Sequence, residues 1–176
     1  VARGVRVRGG GCLLCGDVRH VTWGEDANCA KPRGYAPYGA MAWGGANEWA
    51  ADLTFHDSVR NVDYADWRLP TALNQDGSRP CYGDDCTNSE MGHMFYNNLG
   101  ASAGNSILTG TNTANLALFT NLLSDRYWSG TVFASNPDVY AWGFHNDEGD
   151  QYRYLQSSTI YAWAVRSGDV VSLATP

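Results

Sequence analysis

The sequence predicts an α+β domain in which two or three short helices pack on a largely antiparallel sheet with long loops. Three observations carry that reading. Periodic segments run in the order strand, helices, then a succession of strands. The hydrophobic period changes from near 3.6 to 2 after residue 123. The chain is also rich in rings and glycine and poor in charge, with seven Trp, ten Tyr and 20 Gly against 17% charged residues. Rings supply a large buried area and carry polar tips that need partners. At 176 residues and 44% hydrophobic content the chain can bury one sizeable core.

Residues 1–16 read as a flexible Gly/Arg-rich lead without periodicity, and 17–176 as a single domain. In "DVRHVTW" Val18, His20 and Thr22 alternate with Arg19, Val21 and Trp23, the pattern of a strand. In "GAMAWGGANEWAADLTF" Trp43, Ala46, Ala50 and Leu53 share one helical face, and the Gly44-Gly45 pair moves the expected start to near Gly45. "DWRLPT" reads as an extended corner. Trp67 and Leu69 share one face, Pro70 biases Leu69 towards extended backbone, Thr71 caps the following turn, and Arg68 faces away, open to a carboxylate or carbonyls. "TNSEMGHMFYNNLG" has capping-box spacing at Thr87 and Glu90, an apolar stripe of Met91, Met94, Phe95 and Leu99, and Gly100 as the residue after the helix. The Met stripe is read as core. A shorter helix is expected over 114–123. "RYWSGTVF", "VYAWGFH", "QYRYLQ" and "IYAWAVRSG" then form an expected antiparallel meander, with "YAWGF" and "YAWAV" meeting the same core.

The net charge of −6 is uneven: residues 1–34 carry +3 and the remaining 142 carry −9. An acidic body repels phosphate backbones, which excludes nucleic acid as the expected partner. Five cysteines stand at 12, 15, 29, 81 and 86. Cys81 and Cys86 flank a short turn and are expected to close a disulfide, which implies an oxidising, extracellular or cell-surface location. The lone CxxC of Cys12 and Cys15 has no second pair, and the pairing of Cys12, Cys15 and Cys29 stays open. No run approaches the roughly 20 apolar residues of a membrane span. The N-terminus has no apolar h-region, so export requires a leader beyond this sequence.

No motif points to catalysis. Ser129, Ser157 and Ser158 lie outside G-x-S-x-G, and His20, His56, His93 and His145 match no zinc spacing. The densest polar run is "HNDEGD", between two strands. Asn146, Asp147, Glu148 and Asp150 are potential oxygen donors for calcium, but the EF-hand alternation is missing and a hairpin turn with Gly149 at positive φ is the simpler account. "GDD", residues 83–85, between the paired cysteines, reads as an exposed acidic loop. Tyr152 and Tyr154 are the rings expected on an outer face, where they would stack on a sugar or anchor a protein.

"DWRLPT", "YWSGT", "YAWGF" and "YAWAVRSGD", in that order and preceded by "VTWGEDAN" and "MAWGGANEWAADL", resemble the bacterial DUF1566 family. This is the module at the C-terminus of bacterial collagen-like adhesins, and the resemblance covers about residues 18–170. It implies a C-type-lectin-like fold with adjacent terminal strands, and binding through exposed positions among 127–165. Three departures limit the transfer. The Glu that family members place shortly after Pro-Thr is missing, its helix being displaced to 88–99. No Cys follows Cys86, which argues against the catalysis of the formylglycine-generating branch. The calcium–sugar signature of C-type lectins is absent. The resulting expectation is an exported, non-enzymatic adhesion module that binds a glycan or protein through Asp147, Glu148, Asp150, Tyr152, Arg153 and Tyr154. The alternative is a structural subunit that self-associates in a surface assembly or filament, with the basic lead docking on an acidic body.

Overall fold

The computed structural model describes residues 14–16, 21–31, 34, 36, 38–57 and 61–168. Among them the chain is mixed α+β, with more sheet than helix and only short helices. Its elements are β1 (Leu14–Gly16), β2 (Val21–Gly24), β3 (Ala40–Met41), α1 (Trp43–Ala51), β4 (Phe55–Asp57), β5 (Val62–Tyr64), β6 (Trp67–Arg68), α2 (Glu90–Gly92), α3 (Thr113–Leu116), β7 (Arg126–Val132), β8 (Tyr140–His145), β9 (Gln151–Leu155), β10 (Ile160–Tyr161) and β11 (Val165–Ser167). Two sheets dominate, of order β1-β2-β11-β6 and β3-β10-β7-β8-β9, with a β4-β5 hairpin beside them.

The C-terminal strands correct the expected single meander. β7, β8 and β9 form one, but β10 runs parallel to β7 on its other side and β11 leaves for the second sheet, between β2 and β6. Alternation within a strand specifies which side chains share a face and says nothing about which neighbour the strand takes. Residues 162–164 carry the chain from one sheet to the other, with Trp163 fully buried at the crossing and its indole N–H donating to Gly24 O at 2.7 Å.

Both faces of the five-stranded sheet are covered. On β7, Tyr127 packs into one apolar cluster with Trp23, Phe95, Phe144 and Trp163, while its neighbour Trp128 packs into the other with Trp49, Leu53 and Trp67. "YAWGF" and "YAWAV" each feed both clusters, through Ala141 and Phe144 and through Ala162 and Val165. Met91 and Met94 are buried in the Phe95 cluster, as the stripe predicts.

The helices differ from expectation where tertiary bonds override local preference. α1 begins at Trp43 rather than Gly45, because Trp43 N donates to Gln156 O and its indole to Ser129 O, anchoring a first turn that two glycines would otherwise loosen. The N-cap of α2 is Ser89, whose hydroxyl accepts from Gly92 N at 3.1 Å, so Thr87 and Glu90 form no capping box. After Gly92 the helix widens into a π turn over His93–Asn98, in which Leu99 N donates to Met94 O, and it ends at Gly100 with φ +70°. α3 stops at Leu116 instead of reaching residue 123, because Thr120 pairs its backbone with Glu25 and Ala27.

"DWRLPT" is the corner between sheet and helix. Trp67 and Leu69 are buried on the same side, and Thr71 Oγ1 accepts from Leu73 N. Arg68 donates to both carboxylate oxygens of Glu90 at 2.7 and 2.8 Å and to Leu69 O. Glu90 also accepts from Thr71 N at 2.8 Å. A carboxylate from the displaced helix therefore reaches the residue after Pro70 through space.

Candidate functional site

Three segments converge at the outer edge of the five-stranded sheet: the disulfide loop 81–86, the turn 146–150 between β8 and β9, and β9 itself. Cys81 and Cys86 are bonded, as expected. The loop they close adds to β9 through two backbone bonds of 2.9 Å between Gly83 and Gln151. The buried Gln151 amide reinforces this by donating to Ala72 O and Cys81 O. Tyr96 ties loop to turn, its hydroxyl accepting from Asp85 N and donating to Gly149 O. The turn is strapped from behind by Gly104 N on Glu148 O and Ile107 N on Asn146 O.

Gly149 has φ +91° as expected for the turn, and the space behind it is closed, since a Cβ would stand 2.7 Å from the Phe95 ring. Gly149 N donates to His145 O and His145 N to Asp150 O, which folds the turn back on the end of β8. Asp150 Oδ1 lies 2.9 Å from His145 Nδ1, Glu148 Oε2 at 3.7 Å and Asp147 Oδ1 at 3.9 Å. The other ring nitrogen of His145 is hydrogen-bonded to the Tyr154 hydroxyl. Burial pushes the Asp150 carboxyl above its usual range, Glu148 and Asp84 add to the rise, and His145 opposes it.

The six expected ligand-binding residues thus separate into two groups. Asp147, Glu148 and Asp150 surround His145. Tyr152 and Arg153 lie further along β9, where Tyr152 leans on Tyr82 with ring centroids 4.8 Å apart and planes tilted by 50°, and both rings stay open to solvent, 39% and 50% exposed. Trp142 meets the Tyr82 edge, and Arg153 lies over Phe133 at 4.8 Å. Tyr154 corrects the expectation of an outer-face ring. It turns inward against Trp128 and His145, held there by the hydroxyl bond. Asn146, expected beside the acids as an oxygen donor, is fully buried instead, because it directly follows the last residue of β8 and its backbone is paired with Asp125 and Ile107.

Two participants escaped the sequence. Tyr82 sits in the loop read only as acidic, and its place beside Tyr152 depends on the loop adding to a strand almost 70 residues later. His145 opens the very run searched for calcium, but an all-oxygen template passes over a nitrogen donor. The other described histidines take different surroundings: His56 pairs with Asp63 at 2.6 Å on the surface, and His93 lies in the π turn. His20 and Cys12 lie outside the described residues, as does most of the expected lead. Cys29 is disulfide-bonded and so is not a leftover thiol. Among the described residues no helix is long and apolar enough to cross a membrane. Neither the protein-family models nor the curated proteins contain a match to this chain.

Proposed function

We propose that the chain is a non-enzymatic, exported binding module of C-type-lectin-like fold and DUF1566 type, which takes a glycan at the edge formed by β9 and the disulfide loop. One observation carries the reading: Tyr82 and Tyr152, from distant parts of the chain, lean on each other while both remain open to solvent. Burying such rings in the core would be the favourable course for an ordinary surface. Held outward by a disulfide and a strand, they form a platform on which the apolar face of a sugar ring can stack. Arg153 and the carboxylates of Asp147, Glu148 and Asp150 flank the platform and suit the hydroxyls of the same ligand. The disulfides at Cys81–Cys86 and Cys29 favour an oxidising, extracellular or cell-surface setting.

A glycan array and a protein array, each screened with and without calcium, test this reading. Binding lost in Tyr152→Ala and Tyr82→Ala supports it, binding confined to the protein array changes the ligand class, and silence on both overturns it. A second reading, a structural subunit that self-associates, draws on β9 being the outer strand of its sheet with Leu155 exposed. Sedimentation across a concentration series separates the two, since a strict monomer excludes the assembly.

A further inference from the structure

We propose that His145, Glu148 and Asp150 form a binding site for a divalent transition metal of the zinc class. One donor atom from each lies within 4.8 Å of the others. The separations from His145 Nδ1, 2.9 Å to Asp150 and 3.7 Å to Glu148, bracket the donor–donor edge of about 3.4 Å set by zinc bonds of about 2.0–2.1 Å in a tetrahedron. The donor set selects the ion. One imidazole nitrogen with two carboxylates matches the His/Glu ligation of zinc, whereas calcium takes six to eight oxygens and has no use for the nitrogen at its centre.

A plain ion pair accounts less well for the same atoms. Nδ1 of His145 and Oδ1 of Asp150 are both buried and only 2.9 Å apart, yet neither has a hydrogen-bond partner, because the contact is not aligned as one. Two buried polar atoms without a hydrogen bond are costly unless another group satisfies them. Charge favours a dication there as well. Asp147, Glu148 and Asp150 together present three carboxylate side chains around one imidazole ring. The imidazole is also held as metal-ligating histidines usually are. Tyr154 bonds the opposite ring nitrogen and so fixes the ring with Nδ1 towards the acids. Gly149 and the Tyr96 hydroxyl keep the turn closed, so the donors are positioned before any ion arrives.

Three protein donors leave a tetrahedral ion one open position for water or an outside ligand. The site does not depend on the glycan reading, because metal binding is measured without any sugar.

The test is calorimetric titration of the full chain with zinc chloride and, in parallel, with calcium chloride. The expected result is one equivalent of zinc bound through these residues. Affinity should be lost in His145→Ala and fall about tenfold or more in Tyr154→Phe, which keeps the ring and removes only the bond that orients His145. Calcium should bind at least tenfold more weakly than zinc. Cobalt substitution locates the ion independently, since nitrogen and oxygen ligands give visible bands without thiolate charge transfer, whereas binding at a cysteine adds it. In case His145→Ala does not fold, the imidazole resonances of the unaltered protein supply the same answer by shifting on addition of zinc. Zinc affinity unchanged by His145→Ala, a thiolate band, tighter calcium than zinc, or His145 resonances indifferent to zinc would each overturn the proposal.

Discussion

Arg68 and Glu90 face each other in parallel, the two guanidinium nitrogens donating to the two carboxylate oxygens at 2.7 and 2.8 Å. The carboxylate is almost fully buried, 9% exposed, and also accepts from Thr71 N. Bonding to Glu90 raises the Arg68 pKa further above its ordinary range. This pair joins β6 to α2 across the "DWRLPT" corner, in a place where Glu90 alone would be an unpaired buried charge.

Arg68→Ala is therefore expected to cost about 2–4 kcal/mol, most of it from the stranded Glu90 charge. Arg68→Met with Glu90→Leu should recover part of that loss, because no charge is left buried. Recovery stays incomplete since Thr71 N loses its acceptor. Urea unfolding of the two single variants and the double variant gives the coupling. A double variant no more stable than Arg68→Ala would contradict this account.

The second corner pair titrates. Arg166 on β11 donates to Asp66 at 2.7 and 3.0 Å and lies over the Tyr64 ring at 4.6 Å. The guanidinium holds the Asp66 carboxyl below its ordinary value, with partial burial opposing. A carboxyl whose folded pKa is depressed stabilises the fold above its unfolded value, about 3.9, and that contribution fades as pH falls through the folded value. Melting temperature followed from pH 6 to pH 2 should fall more steeply in the unaltered protein than in Asp66→Asn, the two curves converging at the acid end. The gap at pH 6 should be small and shrink in salt, because the carboxylate is largely exposed. Parallel curves at every pH would show that the pair contributes nothing.

How much was legible follows from the range of each interaction. Gly100, Gly149, the Cys81–Cys86 pair and the shared face of Trp67 and Leu69 declare themselves because each is decided within a few residues. The capping box at Thr87 and Glu90 failed for the opposite reason. Its spacing was correct, but Glu90 had a stronger partner in a half-buried guanidinium from another element, and Ser89 was free to take the cap. The same holds at the candidate site. Asp147, Glu148 and Asp150 were visible as a cluster, while their focus on His145 required the turn to fold back, and Tyr82 required a strand pairing across the chain. Tyr152 and Tyr154 looked equivalent because they alternate in register. They differ because Tyr154 lies opposite Ala141 over the Trp128 cluster, whereas Tyr152 lies at the edge where the disulfide loop joins.

Gly149→Ala separates two costs that glycine hides. Its φ of +91° strains any L side chain, and a Cβ would come within 2.7–2.9 Å of the Phe95 ring and the Tyr96 hydroxyl. Gly77, with φ +77° and nothing within 4 Å, carries only the first cost. Gly77→Ala is expected to lose about 1 kcal/mol, and Gly149→Ala about 2–4 kcal/mol as the packed ring is forced to shift. Equal losses in chemical denaturation would mean that the close approach to Phe95 is not restrictive.

Removal of the Cys81–Cys86 bond tests whether the exposed ring pair is held in place by the fold. The bond closes a short loop, for which chain entropy alone predicts about 2 kcal/mol of stabilisation. Its local effect should be larger than that number suggests. Cys81 O accepts from the buried Gln151 amide, and Gly83 exchanges two backbone bonds with the same residue, so the loop is the only described segment paired to the outer side of β9. Cys81→Ser with Cys86→Ser should speed amide exchange at Gly83 and Gln151 well before the core of β7 or β8 is affected. Tyr82, freed from Tyr152 and Trp142, should then become more mobile, and any glycan affinity should fall by ordering cost rather than by loss of a contact group. Exchange at Gln151 that stays as slow as in the oxidised protein would mean the edge is held without the disulfide, and the rings would then owe their position to β9 alone.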